Sequence, residues 1–236
     1  MKNVENLISL GKLEPLRQGL VKKTYKYGDV VIGLVKVNDL DIHDRDPIVM
    51  RDSVRKYVDG LQDAGVPIVD VIEIGLQGSN LVMVTKFMPQ FLDLAMKSGE
   101  VDFTNGSNIM LKDIGKTKNT NIGIDPTPKN FTFSKEEILY ADFFYPITRE
   151  YSNWKKNRMV LDTPRRQWIY FAQDYFYYPH VFSHTVCDLS DVGIQSRDQT
   201  FQLVSDFCQK NNYDFNLKES LNRFLEVRTQ YGQQKG

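Results

Sequence analysis

Apolar and polar positions follow one rule in the first third of the chain and another afterwards. Residues 16 to 37 (LRQGLVKKTYKYGDVVIGLVKV) are rich in Val, Leu and Tyr, and Gly28-Asp29 interrupts them as the turn of a hairpin does. Residues 47 to 64 place Val49, Met50, Val54, Tyr57, Val58 and Leu61 at helical spacing, and Gly65 with Pro67 stops that helix. VPIVDVIEIGL and NLVMVTKF are strand-like runs on either side of Gln77-Gly78-Ser79. The order is therefore β, β, β, α, β, β. After Pro89 strand signals thin out. Residues 90 to 97 predict a short helix, 98 to 108 (SGEVDFTNGSN) a loop, and the chain from 164 onward aromatic-rich helices. No internal repeat interrupts this pattern. It predicts an α+β architecture, a small mixed-sheet lobe over residues 1–88 and a mostly helical lobe over 89–236.

Composition narrows the classes without choosing one. At 236 residues the chain is long enough to bury a core as one domain or as two lobes around a cleft. Lys plus Arg and Asp plus Glu balance at 30 each, so no net field draws it to nucleic acid or an anionic membrane. Cys187 and Cys208 are too few for a disulfide scaffold and suit a reducing compartment. The stretch MKNVENLISLGKLEPL has no apolar core of signal-peptide length, and no apolar run is long enough to cross a bilayer. The expectation is a cytoplasmic protein with no membrane and no nucleic-acid partner.

The chemistry concentrates in GIDPTPKNFTFSKEEILYADFFYP, residues 123 to 146. Asp125 precedes Asn130 by five positions, two short apolar runs (NFTF and EILYA) follow, and Asp142 ends the second. Phosphoryl transfer from a nucleotide needs an acceptor hydroxyl positioned, its proton accepted, and phosphate charge neutralised by a divalent metal and a lysine. A loop carboxylate can orient the hydroxyl, while a carboxamide and a second carboxylate offer hard oxygens to the metal. Pro126 and Pro128 stiffen the loop between them. Read singly, Asp125 and Asn130 are also ordinary turn formers and Asp142 an ordinary strand-end residue.

Asp-x4-Asn followed 12 residues later by an Asp resembles the catalytic loop and metal-binding Asp of the protein-kinase-like fold, in its aminoglycoside and choline phosphotransferase branch. The resemblance covers roughly residues 13 to 146. It implies a two-lobed protein-kinase-like fold, with Asp125 as catalytic base and Asn130 and Asp142 as Mg ligands. Gly19 then lies where the phosphate-covering hairpin turns, and Lys36, 17 residues on, falls at the nucleotide-phosphate lysine of the third strand. Thr85 falls at the gatekeeper position, and the Lys86 to Met88 backbone lies beside adenine. The activity implied is an ATP-dependent phosphotransferase acting on a hydroxyl of a small molecule. A small-molecule acceptor is preferred over a protein because no Ala-Pro-Glu motif follows Asp142.

The chain departs from that pattern at several points. Gly123-Ile124, with no His, precedes Asp125, and Phe143-Phe144-Tyr145 follows Asp142. The phosphate-covering hairpin has one glycine, which leaves backbone amides and Lys22 or Lys23 to cradle phosphate. The acidic helix partner of Lys36 is Asp52 or Asp59 in place of a Glu. Only about 36 residues separate Met88 from Asp125, so the first helices of the second lobe are expected to be abbreviated. These departures favour the alternative, a catalytically silent kinase-like protein that binds nucleotide or a partner. Outside the resemblance, His180, His184 and Cys187 have the spacing of a zinc half-site but no evident fourth ligand, and packing roles are expected for them. The aromatic run 170–184 is expected in the core, and the basic residues Lys155, Lys156, Arg158, Arg165 and Arg166 on a solvated face.

Overall fold

A computed structural model describes residues 12–18, 22–36, 46–134, 137–157 and 174–232. Its first part is a five-stranded sheet of β1 (Glu14–Gln18), β2 (Lys22–Tyr27) and β3 (Val30–Lys36), then, after helix α1 (Pro47–Asp63), β4 (Val71–Gln77) and β5 (Asn80–Lys86). The strand order is β1-β2-β3-β5-β4. The sheet expected to be mixed is antiparallel at every pairing. The reason is that α1 carries the chain past the β5 position to β4, and the hairpin turn at Gly78 then returns β5 beside β3. Gly28 and Gly78 both hold φ near +60° in the two-residue turns, a conformation that favours glycine.

Successive side chains of a strand point to opposite faces, so register decides which residues meet the cleft. Tyr25, Ile32, Leu34 and Val82 form a small apolar cluster with Leu13 on the outer face. Val35 and Met83 point the other way and join the main core with Met50, Val54, Tyr57 and Leu61 of α1. Helix α1 begins where Asp46 accepts from the Ile48 amide at 2.8 Å, with Pro47 in its first turn. It ends with Gly65 at φ 72°. Val49, expected on the buried stripe, is exposed, because the stripe runs through Met50, Val54, Tyr57, Val58 and Leu61. Arg55 ties the helix to the sheet by donating to the Ile74 carbonyl at 2.7 Å.

The second part contains β6 (Gln90–Phe91), α2 (Leu92–Ser98), α3 (Phe103–Lys116), β7 (Phe131–Ser134), β8 (Glu137–Tyr140), α4 (Arg149–Lys156), α5 (Tyr178–Asp191), α6 (Arg197–Lys210) and α7 (Leu217–Gly232). Residues 103–108, expected as loop, are the first turns of α3. Asp102 caps the helix by accepting from the Asn105 amide at 2.8 Å, and Phe103, Met110, Leu111 and Ile114 are buried at helical spacing. Gly106, which read as a loop signal, is a packing residue: a Cβ there would stand 2.7 Å from Met96 and 2.9 Å from Val101. No helix of the described residues is long and apolar enough to cross a membrane.

The two parts are bonded through the backbone. Tyr140 on β8 donates its N–H to the Pro67 carbonyl at 2.9 Å and accepts from the Val69 N–H at 3.0 Å, so the β7–β8 hairpin sits under the chain that enters β4. A buried hydroxyl adds a second tie. Tyr57 on α1 donates to the Gly123 carbonyl at 2.9 Å and lies 3.3 Å from the Tyr140 hydroxyl. Tyr57→Phe leaves that carbonyl buried without its donor, and is expected to lower unfolding free energy by roughly 1–3 kcal/mol. Urea denaturation would register this as a lower midpoint at unchanged slope.

Candidate functional site

The acidic loop is held from both sides. Gly123 donates its N–H to the Ile147 carbonyl at 2.8 Å while Tyr57 caps its own carbonyl. A Cβ on Gly123 would stand 2.5 Å from Ile147 and 3.0 Å from Tyr175, so only glycine admits both neighbours. That close approach brings the Tyr175 hydroxyl to Asp125 Oδ2 at 3.0 Å. Two tyrosines thus support the loop, one from α1 and one from the segment entering α5. Burial pushes both phenols well above their ordinary pKa, so they act as neutral donors.

Asp125 Oδ1 meets the Thr127 hydroxyl at 2.8 Å and the Thr127 N–H at 3.2 Å. Pro128 to Asn130 form a single 3-10 turn that leads into β7. The Asn130 carbonyl accepts from the Ala141 N–H at 2.8 Å, which sets Asn130 opposite the residue before Asp142. Asp142 accepts from the Phe144 N–H at 3.3 Å. Its pKa is raised, chiefly by burial and in part by Asp125, against the opposing pull of Lys22. Asp125 and Asp142 are therefore close enough for their carboxylates to interact, and the Asn130 backbone lies beside them.

The cation facing them is Lys22. Its ammonium stands 3.6 Å from Asp142 Oδ1, and its stem crosses Gly33, where a Cβ would lie 3.4 Å from Lys22 Cε. Lys36 is placed elsewhere. Lys22 is paired with Val35, so those two share the cleft face, and Lys36, one residue on, shares the outer face with Ile32 and Leu34. Lys36 is exposed. Lys23 lies on that outer face too, opposite Leu34. Asp52, one of the two residues expected to partner Lys36, is bound to Arg51 at 2.8 Å on the solvent side of α1. Asp59, the other, is exposed as well. The side chain that α1 directs to the site is Tyr57. Gly19 lies outside the described residues, as do Arg158, Arg165 and Arg166.

Between the sheet and the hairpin lies a cavity of about 310 Å³, within the range of small-ligand pockets. Val31, Gly33, Met83 and Thr85 form its roof, Thr132 and Ala141 its floor, and Lys22 its charged end. The segment Lys86 to Met88 closes one side. Lys86 spends its N–H on the Asp70 carbonyl at 2.9 Å and Phe87 spends its own on the Asp29 carbonyl at 2.8 Å. A wider groove of about 730 Å³ between α3 and α6 shares no residue with this cavity and is lined mostly by carboxamides and lysines.

A second group of polar side chains adjoins Asp125. Asp125, His184 and Asp188 each offer an atom within 4.8 Å of the others. His184 Nε2 lies 3.2 Å from Asp188 Oδ2, so this imidazole is engaged by a carboxylate, while the Cys187 thiol is buried with its pKa raised. His180 packs edge-on against Phe224 at 5.3 Å. Of the aromatic run, Phe182 is fully buried among Phe207, Tyr213 and Phe215.

No protein-family model and no curated protein matches this chain. Tyr175, Thr127, Asp188 and Tyr57 carry no motif signal; Lys22 was legible only as one of two lysines after the turn expected at Gly19.

Because its pKa is raised, Asp142 binds its proton more tightly in the folded chain than in the unfolded one. Its contribution to stability is full below the ordinary carboxylate range and is lost as pH rises through the shifted value. Asp142→Asn is therefore expected to raise the ligand-free melting temperature near pH 7.5 by roughly 2–4 °C, the shift of about 1 kcal/mol in a chain this size. The gain should shrink towards pH 4. A fall near pH 7.5 would mean that Lys22 more than offsets burial.

Proposed function

We propose that this chain is an ATP-dependent phosphotransferase of the two-lobed, protein-kinase-like kind, transferring the γ-phosphoryl group to a hydroxyl of a small molecule. The observation that carries the reading is the Lys22–Asp142 pair, which joins sheet to hairpin at the charged end of the cavity. Adenine would lie between Val31 and Ala141, with the Met88 amide as its donor, since the Lys86 and Phe87 amides are already spent. Lys22 would hold the phosphates in the role first expected of Lys36.

The donor set fits magnesium. Asn130 and Asp142 offer hard oxygens, and the raised pKa of Asp142 marks a carboxylate whose negative charge Lys22 does not fully offset. Bound there, Mg²⁺ would supply the charge neutralisation of the leaving diphosphate. Asp125 would accept the acceptor's proton as its oxygen bonds to the γ-phosphorus, the bond to the β,γ-bridging oxygen breaks, and ADP leaves. Tyr175 and Thr127 hold both oxygens of Asp125 for that task.

One observation favours the silent alternative. Helix α1 turns a phenol, and no carboxylate, towards the site, so among the described residues Lys22 is ion-paired only with Asp142, the group the metal would take. Metal-dependent nucleotide binding without phosphoryl transfer to any acceptor or to water would establish that alternative.

Thermal unfolding with ATP and Mg²⁺ tests the nucleotide site. Saturation at a hundred times Kd should stabilise the chain by about 2.7 kcal/mol, a rise of roughly 5–10 °C. Lys22→Met and Asp142→Asn should abolish the increment, and Lys36→Ala should leave it intact. No rise in the wild type, or loss with Lys36→Ala alone, would contradict the proposal.

A further inference from the structure

Asp125 is joined to a second carboxylate through one hydroxyl. Thr127 Oγ1 lies 2.8 Å from Asp125 Oδ1 and 2.6 Å from Oδ2 of Asp188, on α5. A threonine hydroxyl has one hydrogen and donates to one oxygen. Two contacts of hydrogen-bond length, each ending on a carboxylate, need two hydrogens. One hydrogen shared between two acceptors would serve each poorly at 2.6 and 2.8 Å, and a carboxylic proton on one of the two aspartates supplies the second.

The surroundings decide which. Asp125 collects two further donors, the Tyr175 hydroxyl and the Thr127 N–H, and so offers its oxygens as acceptors. Asp188 has a side chain only 16% exposed, and its Oδ2 also lies 3.2 Å from His184 Nε2. Nδ1 of His184 is buried without a partner among the described residues, an arrangement in which Nε2 carries the ring hydrogen. Arg228 on α7, whose charge also acts on Asp188, is tied to Asp191 at 2.9 Å. Lys97, Lys129 and Asp93 line the cavity of about 90 Å³ beside Asp188 and carry opposing charges.

We propose that Asp188 is a neutral carboxylic acid at neutral pH, donating to Thr127 so that Thr127 donates to Asp125, and that Thr127, Asp188 and His184 are positioning residues for Asp125. Burial, the largest influence on Asp188, raises its pKa, and Asp125 raises it further against the opposing pull of His184, Thr127 and Arg228. The chain His184, Asp188, Thr127, Asp125 aims the Asp125 carboxyl group while Asp188 stores the proton. The consequence for turnover rests on Asp125 as the base of the proposed reaction; the protonation of Asp188 does not.

Infrared spectroscopy reads that proton directly. At neutral pH the wild-type minus Asp188→Asn difference spectrum should show a carbonyl band of a protonated carboxylic acid, lost in the variant. Thr127→Val should shift the band in frequency, because its acceptor is gone. Subtraction removes any signal from Asp113 or Asp142. Asp188→Asn keeps a donor towards Thr127, so its melting temperature should stay closer to wild type than that of Asp188→Ala. A difference spectrum showing only carboxylate bands would overturn the proposal. So would one zinc ion bound per chain that is lost in His184→Ala. If the wild type transfers phosphate, Thr127→Val should lower kcat roughly tenfold or more at unchanged KM for ATP, with Thr127→Ser restoring it. If it transfers none, the carboxylic band still decides the protonation.

Discussion

Asp125 and Asp142 bring two carboxylates to the edge of a buried core, and much of the surrounding structure compensates for taking them out of water beside each other. Tyr175 and Thr127 donate to Asp125, while Lys22 and the Phe144 amide answer Asp142. These compensations come from β2, from the loop itself and from the segment leading into α5, so the site exists only when sheet, hairpin and helices are all assembled. The pKa of Asp142 is raised chiefly by its burial and in smaller part by Asp125, and Lys22 with the Phe144 amide does not fully offset them. Such a site favours a cation at the mouth of the cavity, and that preference links the packing to the proposed chemistry.

The backbone fixes the arrangement more firmly than the ion pair does. Tyr140 is bonded on both sides to the chain around Ile68, and its ring packs edge-on against Phe131 and Phe143. Asp142 is two residues from Tyr140, so its position follows from the core. Lys22 reaches it because Gly33 leaves the cleft face of β3 bare. Substituting a larger side chain at position 33 would act on the lysine without touching a carboxylate.

The element order of the first part was legible because its strands and α1 obey their periods strongly, and the two glycine turns mark the hairpins. Asp125 and Asp142 were legible as a spacing, and the fold brings their carboxylates close enough to interact. Lys36 shows where spacing fails: counting from Gly19 gives a position in β3, but the face is set by pairing with β2, and one residue reverses it. The start of α3 was hidden by Gly106, whose missing side chain serves a helix contact and no turn. Tyr175 and Asp188 were beyond reach for another reason. They lie 50 and 63 residues from Asp125 in sequence and meet it only through tertiary packing.

The central claim is that this cleft takes a nucleotide with its phosphates against Lys22. An acyl phosphate of ATP transfers its acyl group to a lysine beside the phosphates, and mass spectrometry of the digested chain identifies the labelled residue. The account predicts modification of Lys22, suppressed by excess ATP with Mg²⁺, and no ATP-sensitive modification of Lys36. ATP-sensitive labelling of Lys36, or labelling of Lys22 that ATP does not suppress, would contradict it.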